Sequence, residues 1–149
     1  MVEKKVSMVD ITGKPSVYRE AEAKGVIKLK PETINLIKNG EVEKGDPLEI
    51  AKIAGVLAAK NTSQIIPLCH PIPLTHVDVK TRILGEDKVE VSSTVKTEAK
   101  TGVEMEALTA TLTALLTVWD MVKQYEKDER GQYPSTEILS VRVVSKIKG

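Results

Sequence analysis

An α+β sandwich, an antiparallel sheet with helices packed on one face, is the fold class that this sequence predicts. Three observations carry the expectation. Several segments alternate apolar and polar residues, and two of these are joined by a short turn. Two shorter segments open on proline near a helix start. One long segment is apolar with a helical period. Alternation buries one face of a strand, whereas a period of about 3.6 residues buries one stripe of a helix.

Val17 to Leu29 reads as the first strand, with Val17, Ala21, Ala23, Ile27 and Leu29 on one face. Arg19 shares that apolar face, where a guanidinium calls for an anionic partner. Pro31 and Gly40 bracket a short helix, proline in its first turn and glycine past its end. Asp46-Pro47-Leu48-Glu49 opens the next helix, with Asp46 as cap and Glu49 at capping-box spacing. Its predicted buried face is Leu48, Ile50, Ile53, Ala54 and Leu57. Asn61 to Leu68 leads into Cys69-His70-Pro71-Ile72-Pro73, where two prolines exclude a helix and hold Cys69 and His70 in a rigid, extended loop.

Two strands follow, one with Val77, Val79, Thr81 and Ile83 on a face, the other with Val89, Val91, Ser93 and Val95. Gly85-Glu86-Asp87 joins them as a hairpin. A long helix is expected from about Gly102 to Lys127, opened by a second capping-box spacing, Thr101 and Glu104. The tail from Ile138 to Ile147 alternates again, with Leu139, Val141, Val143 and Ile147 inward. The order β-α-α-β-β-α-β is that of a ferredoxin-like sandwich with one extra helix. Branched residues on both sheet faces imply that a homo-oligomer covers the open one.

At 149 residues the chain fits one domain, 1–149, with residues 1–13 expected as a flexible N-terminal arm. Net charge is +1, from 22 basic and 21 acidic residues, so no bulk positive field exists to hold nucleic acid or an anionic membrane. Aromatics are 3% with no Phe, which removes the stacking platforms of single-strand RNA binders. One cysteine cannot make an internal disulfide, and Met1-Val2-Glu3-Lys4-Lys5 turns polar too soon for a signal peptide. No apolar run approaches the roughly 20 residues that span a bilayer. The expectation is a soluble, cytoplasmic protein.

Candidate chemistry centres on the long helix. Glu106, Thr109, Thr113, Thr117, Asp120 and Lys123 fall within an arc of roughly 120° on an otherwise apolar helix. The stripe is either a solvent-facing one, its threonines bonding back to the preceding turn, or the wall of a cleft. Asp120 and Lys123, three apart, are either a surface ion pair or a coupled proton donor and acceptor. Cys69 and His70 raise three readings: a thiolate nucleophile, a metal site with His76, or a packed cysteine beside a hydrogen-bonding histidine. Neighbours in an extended stretch point apart, which counts against the first, and ligand spacing counts against the second. Lys44-Gly45-Asp46 and Lys100-Thr101-Gly102 each set a lysine ahead of a helix start, where an anion is favoured.

Taken together, several segments are specific. Met8-Val9-Asp10-Ile11, Lys44-Gly45-Asp46, Ile53-Ala54-Gly55, Ala58-Ala59-Lys60, Ile66-Pro67-Leu68-Cys69-His70-Pro71, Lys100-Thr101-Gly102-Val103-Glu104-Met105-Glu106-Ala107-Leu108-Thr109-Ala110 and Asp120-Met121-Val122-Lys123 stand in one order. In that order they resemble the MoaC family of cyclic pyranopterin monophosphate synthases, over roughly Met8 to Lys127.

The resemblance implies a phosphorus–oxygen lyase of molybdenum cofactor biosynthesis. It also implies a hexamer built as a trimer of dimers, with sites at subunit interfaces. The implied substrate is a cyclised dihydro-GTP made by an upstream radical enzyme. It is converted to cyclic pyranopterin monophosphate with release of pyrophosphate. Asp120, Lys123 and Lys44 match the family's catalytic positions. Leu68, Cys69, His70, Met105, Glu106, Arg19 and Lys100 match its substrate-binding and other active-site positions. No cofactor and no metal are expected, because cations can hold the phosphates. A lysine that acts as base must lose its proton, so Lys44 and Lys123 are expected close enough to repel, with Asp120 setting which one stays charged. The chain departs from the family at its tail, Ser145-Lys146-Ile147-Lys148-Gly149, and over Asp128 to Thr136. Two rivals remain at this stage: a nucleotide-sensing regulatory domain, and a cysteine hydrolase using Cys69 and His70.

Overall fold

A computed structural model describes residues 4–149. The elements are β1 (Val17–Lys28), α1 (Pro31–Lys38), α2 (Pro47–Lys60), a short α3 (Thr62–Ile65), β2 (Leu74–Leu84), β3 (Lys88–Ala99), α4 (Glu104–Glu126) and β4 (Glu137–Lys148). The four strands form one sheet in the order β2-β3-β1-β4, with every neighbouring pair antiparallel. This is the ferredoxin-like arrangement that the element order predicts, with one short helix more than expected. Of the N-terminal stretch expected to be polar and flexible, residues 1–3 lie outside the described residues. From Val9 to Thr12 it is tied down by hydrogen bonds set out below.

The core forms where α4 lies on β1 and β3. Ala21, Ala23 and Ile27 of β1 and Val89, Val91 and Val95 of β3 meet Ala107, Ala110, Ala114, Leu115, Val118 and Val122 of α4. The faces of β1 and β3 named from alternation are therefore correct. By length and composition α4 is apolar enough to cross a membrane, contrary to the sequence expectation; its buried apolar residues are those packed in this core.

Three expectations fail for physical reasons. First, α2 buries Pro47, Ala51, Gly55, Ala58 and Ala59, while Ile50, Ile53 and Leu57 are exposed. A Cβ on Gly55 would stand 3.2 Å from the Ala110 carbonyl oxygen and 2.9 Å from Val79, so α2 and α4 approach too closely for large side chains. Size, not hydrophobicity, selects the contact stripe. Leu112 and Leu116 of α4 are exposed as well.

Second, both capping boxes fail in part. Asp46 caps α2 by accepting from the Leu48 and Glu49 amides at 3.0 and 3.4 Å, but Glu49 turns to Lys52 at 2.9 Å. At α4 the cap position is Val103 and no side chain caps it. Glu104 reaches Lys146 at 3.2 Å instead.

Third, the alternation of β4 is broken. Ser140 takes a left-handed φ of 56°, and the register against β1 shifts between Lys24 and Val26. This bulge turns Ile138 and Val141 together onto the core, in place of the Leu139 predicted. The open sheet face also differs from expectation. By register it carries Glu22, Lys24, Asp78, Lys80, Arg82 and Glu90 beside Val26 and Leu139, so charges predominate over branched apolar residues. Among exposed aliphatic residues, Ile50, Ile53, Leu57, Leu112 and Leu116 lie on α2 and α4, and others lie in the N-terminal arm, the loop after α3 and β4.

Candidate active site

The C-terminal end of α4 gathers the three residues expected to be catalytic. Asp120 and Lys123 are one turn apart, which brings Lys123 Nζ to 3.1 Å from Asp120 Oδ1. Lys44 arrives from the loop between α1 and α2, where Gly45 holds a φ of 120° open only to glycine. Its Nζ stands 3.5 Å from Asp120 Oδ2 and donates to the Asp120 carbonyl at 3.0 Å. Both ammonium groups thus converge on one carboxylate. The hydrogen bond from Lys123, then the charges of Lys44 and Lys123, hold the Asp120 carboxyl below its ordinary range. The Asp120 side chain is 60% exposed, so in a single chain this cluster faces solvent rather than a closed cleft.

The N-terminal end of α4 gathers most of the others. The loop carrying Leu68, Cys69 and His70 is pinned by Thr97 Oγ1, which donates to the Pro73 carbonyl at 2.6 Å. The Cys69 thiol points inward and donates to Glu106 Oε2 at 3.7 Å. His70 points the other way, its Nε2 2.7 Å from the Val9 carbonyl. A carbonyl only accepts, so Nε2 carries the proton of this hydrogen bond. Lys100 Nζ donates to the Thr12 carbonyl at 2.9 Å. These two contacts fasten the arm along a groove of about 410 Å³ lined by Leu68, Cys69, His70, Thr101, Gly102 and Met105.

Glu106 is 2% exposed, and its Oε1 has no hydrogen-bond partner among the described residues. Burial pushes its carboxyl up. Burial also pushes the Cys69 thiol up, helped by the negative charge and hydrogen bond of Glu106. A thiol in that state, with the neighbouring imidazole turned away, does not form a nucleophile–base couple. Nor do Cys69, His70 and His76 converge, and among the described residues no group of three such side chains could hold a metal ion. Arg19 is buried, but the anionic partner expected for it is not found. Its Nε and Nη2 donate to the Ala99 and Lys100 carbonyls at 3.2 and 3.3 Å, which shapes the turn that presents Lys100.

The two ends of α4 are separate. Glu106 and Asp120 are fourteen positions apart on one helix, about 21 Å at 1.5 Å per residue. Between them Thr109, Thr113 and Thr117 are half-buried, and the Thr117 hydroxyl donates back to the Thr113 carbonyl at 2.7 Å.

Sequence reasoning missed Glu126, which is fully buried. Its carboxylate accepts from the Thr136 hydroxyl at 2.6 Å, the Lys30 amide at 3.1 Å and the Thr33 hydroxyl. The helical period gave a usable signal, since Glu126 lies four residues after Val122 and eight after Val118. It missed Glu43, Gln124 and Tyr125 too, for which no signal existed.

An α+β sandwich with a carboxylate–lysine cluster at one end of its central helix and a buried carboxyl beside a groove at the other has the make-up of a small-molecule enzyme. The MoaC family model matches residues 8–149, and the chain belongs to that family. It is 63% identical over 148 residues to a probable cyclic pyranopterin monophosphate synthase of Sulfurisphaera tokodaii, covering 99% of this chain and 96% of that one. A protein of the same name from Pyrococcus furiosus is 62% identical over 146 residues, with 98% and 93% covered. Another, from Thermococcus kodakarensis, is 58% identical over 147 residues, with 99% and 94% covered.

Proposed function

We propose that this protein is a cyclic pyranopterin monophosphate synthase, converting a cyclised dihydro-GTP to cyclic pyranopterin monophosphate and pyrophosphate in molybdenum cofactor biosynthesis. The observation that carries the reading is the convergence of Lys44 and Lys123 on Asp120 in a chain of this family. The reaction opens the purine ring, moves protons, closes a pyran and lets a ribose-derived hydroxyl attack phosphorus as pyrophosphate leaves. Each proton move needs a donor and an acceptor within hydrogen-bond reach. Asp120, ionised and shared by two ammonium groups, orients both; the lysine that gives up its proton acts as base, and the other offsets phosphate charge.

In this reading Leu68, Cys69, His70, Met105, Glu106 and Lys100 contact the substrate, and Arg19 supports Lys100 from below. Glu106, its pKa raised by burial, accepts from the Cys69 thiol beside the groove, where a lower negative charge suits a phosphate-bearing substrate. The separation of about 21 Å along α4 supports a site completed by a second copy, one chain supplying the lysines and another the groove. A hexamer of three dimers, a cytoplasmic setting and supply of substrate by an upstream radical enzyme belong to the same reading.

The test is conversion of cyclised dihydro-GTP by purified wild type and Asp120→Ala, assayed together. Product and pyrophosphate from wild type alone support both the reaction and the cluster. A folded wild type that binds substrate without turnover is instead a nucleotide-sensing domain.

A further inference from the structure

The loop that brings Lys44 to Asp120 is short and exposed, and its hold on α4 is made by residues with no part in the reaction proposed above. The Glu43 amide donates to Tyr125 Oη at 2.9 Å. Gln124 Nε2 donates to Glu43 Oε2 at 2.9 Å. Both contacts fall on the residue next to Lys44, and both come from the turn of α4 that follows Lys123. The Tyr125 ring packs against the hydrophobic core, so its hydroxyl is a fixed acceptor rather than a swinging one. Next in sequence, Glu126 takes the Lys30 amide and the Thr33 hydroxyl at the start of α1. The loop is therefore gripped directly by Gln124 and Tyr125, and the helix before it by Glu126. Val42, 7% exposed, seats the loop from beneath.

The Lys44 side chain is 41% exposed, and among the described residues its ammonium makes only the two contacts with Asp120 given above. An exposed ion pair holds a long side chain weakly. The fixed backbone at Glu43 supplies the precision that the ion pair lacks.

We propose that Tyr125, assisted by Gln124, is the positioning residue for Lys44: its hydroxyl holds the Glu43 amide and so sets where the lysine meets Asp120. The inference rests on the reading of Lys44 as a reacting group. It also places the determinant of that geometry in the last turn of α4, outside every motif that marks the family in this sequence.

Tyr125→Phe keeps the ring and removes the acceptor. Amide exchange at Glu43 is then expected to speed up by about fivefold to tenfold, the loss of one hydrogen bond. Trace acetylation of native protein, read by mass spectrometry, is expected to show faster labelling of Lys44 relative to Lys60. Turnover of cyclised dihydro-GTP should fall by about tenfold in kcat with KM changed less than about twofold, the split expected of misplacement rather than lost binding. Gln124→Ala should show the same pattern, more weakly. Unchanged Lys44 labelling in Tyr125→Phe would overturn the proposal. So would unchanged kcat, if Lys44→Ala is inactive. If Lys44→Ala itself keeps full turnover, the role given to Lys44 fails, while the labelling ratio still reports whether Tyr125 holds the loop.

Discussion

Replacing Glu126 with Gln is the most informative single perturbation of the fold around the lysine cluster. The wild-type carboxylate is fully buried and accepts from three donors: the Lys30 amide, the Thr33 hydroxyl and the Thr136 hydroxyl. Two of these sit at the N-terminus of α1, where negative charge is favoured. Glutamine has nearly the same volume, so no cavity opens, but it loses the charge and turns an NH2 toward groups that donate. A hydrogen bond to a charged group contributes about 1.5–3 kcal/mol, and a buried donor left unmet costs a similar amount. The expected loss is about 2–4 kcal/mol after relaxation. At about 2–4 °C per kcal/mol, Tm should fall by about 4–16 °C. Urea unfolding at pH 7 with unchanged slope, run beside thermal melts, measures both. A loss under about 0.5 kcal/mol would refute the reasoning, because surface substitutions alone give that much.

Three further outcomes follow from the same packing and electrostatics. Gly25→Ala puts a Cβ 2.7 Å from Val141 and 2.8 Å from Leu115, inside the contact of β1 with α4 and β4; overpacking there should cost about 1–3 kcal/mol by urea unfolding. Glu106→Gln should stabilise the protein at pH 7 and not at acid pH. Burial raises the Glu106 pKa above its unfolded value, so the wild type matches the variant when both are neutral and loses stability as pH rises through the folded pKa; thermal melts across pH give the sign. Iodoacetamide should alkylate native Cys69 at pH 7.5 at least about tenfold more slowly than the unfolded chain, because burial and Glu106 suppress the thiolate; a burst of labelling would restore the nucleophile reading.

The strand faces and the order of elements were legible because alternation and helical period encode which side is buried, and Ala21, Ala23, Val91 and Val95 obey them. What alternation does not encode is closeness. The α2 face was misread because Ala51, Gly55 and Ala58 win their place by being small. The β4 face was misread because two register shifts against β1, one of them beside Ser140, are backbone events that side chains do not announce. For the site, Asp120 and Lys123 were legible as a pair one turn apart. Lys44 was legible only as a lysine ahead of a helix start; its meeting with Asp120 was reachable through the family motif, since the contact crosses 76 positions of sequence. Arg19 shows the opposite failure: a buried guanidinium was assigned an anion and is satisfied by carbonyls. The division of the site residues between two ends of α4 follows from counting along the helix. It could have been read from the sequence as soon as Glu106 and Asp120 were placed on one element.

That division is the central claim, and mixed oligomers test it most directly. Asp120→Ala lacks the acid–base end but keeps the groove, and His70→Ala lacks a groove residue but keeps the lysine cluster. Unfolded together in equal amounts and refolded, the two inactive chains should recover about a quarter of wild-type turnover of cyclised dihydro-GTP, the fraction of sites drawing an intact end from each copy. Full inactivity of the refolded mixture, with wild type recovering in parallel, would contradict the account and mean that each chain builds its site alone.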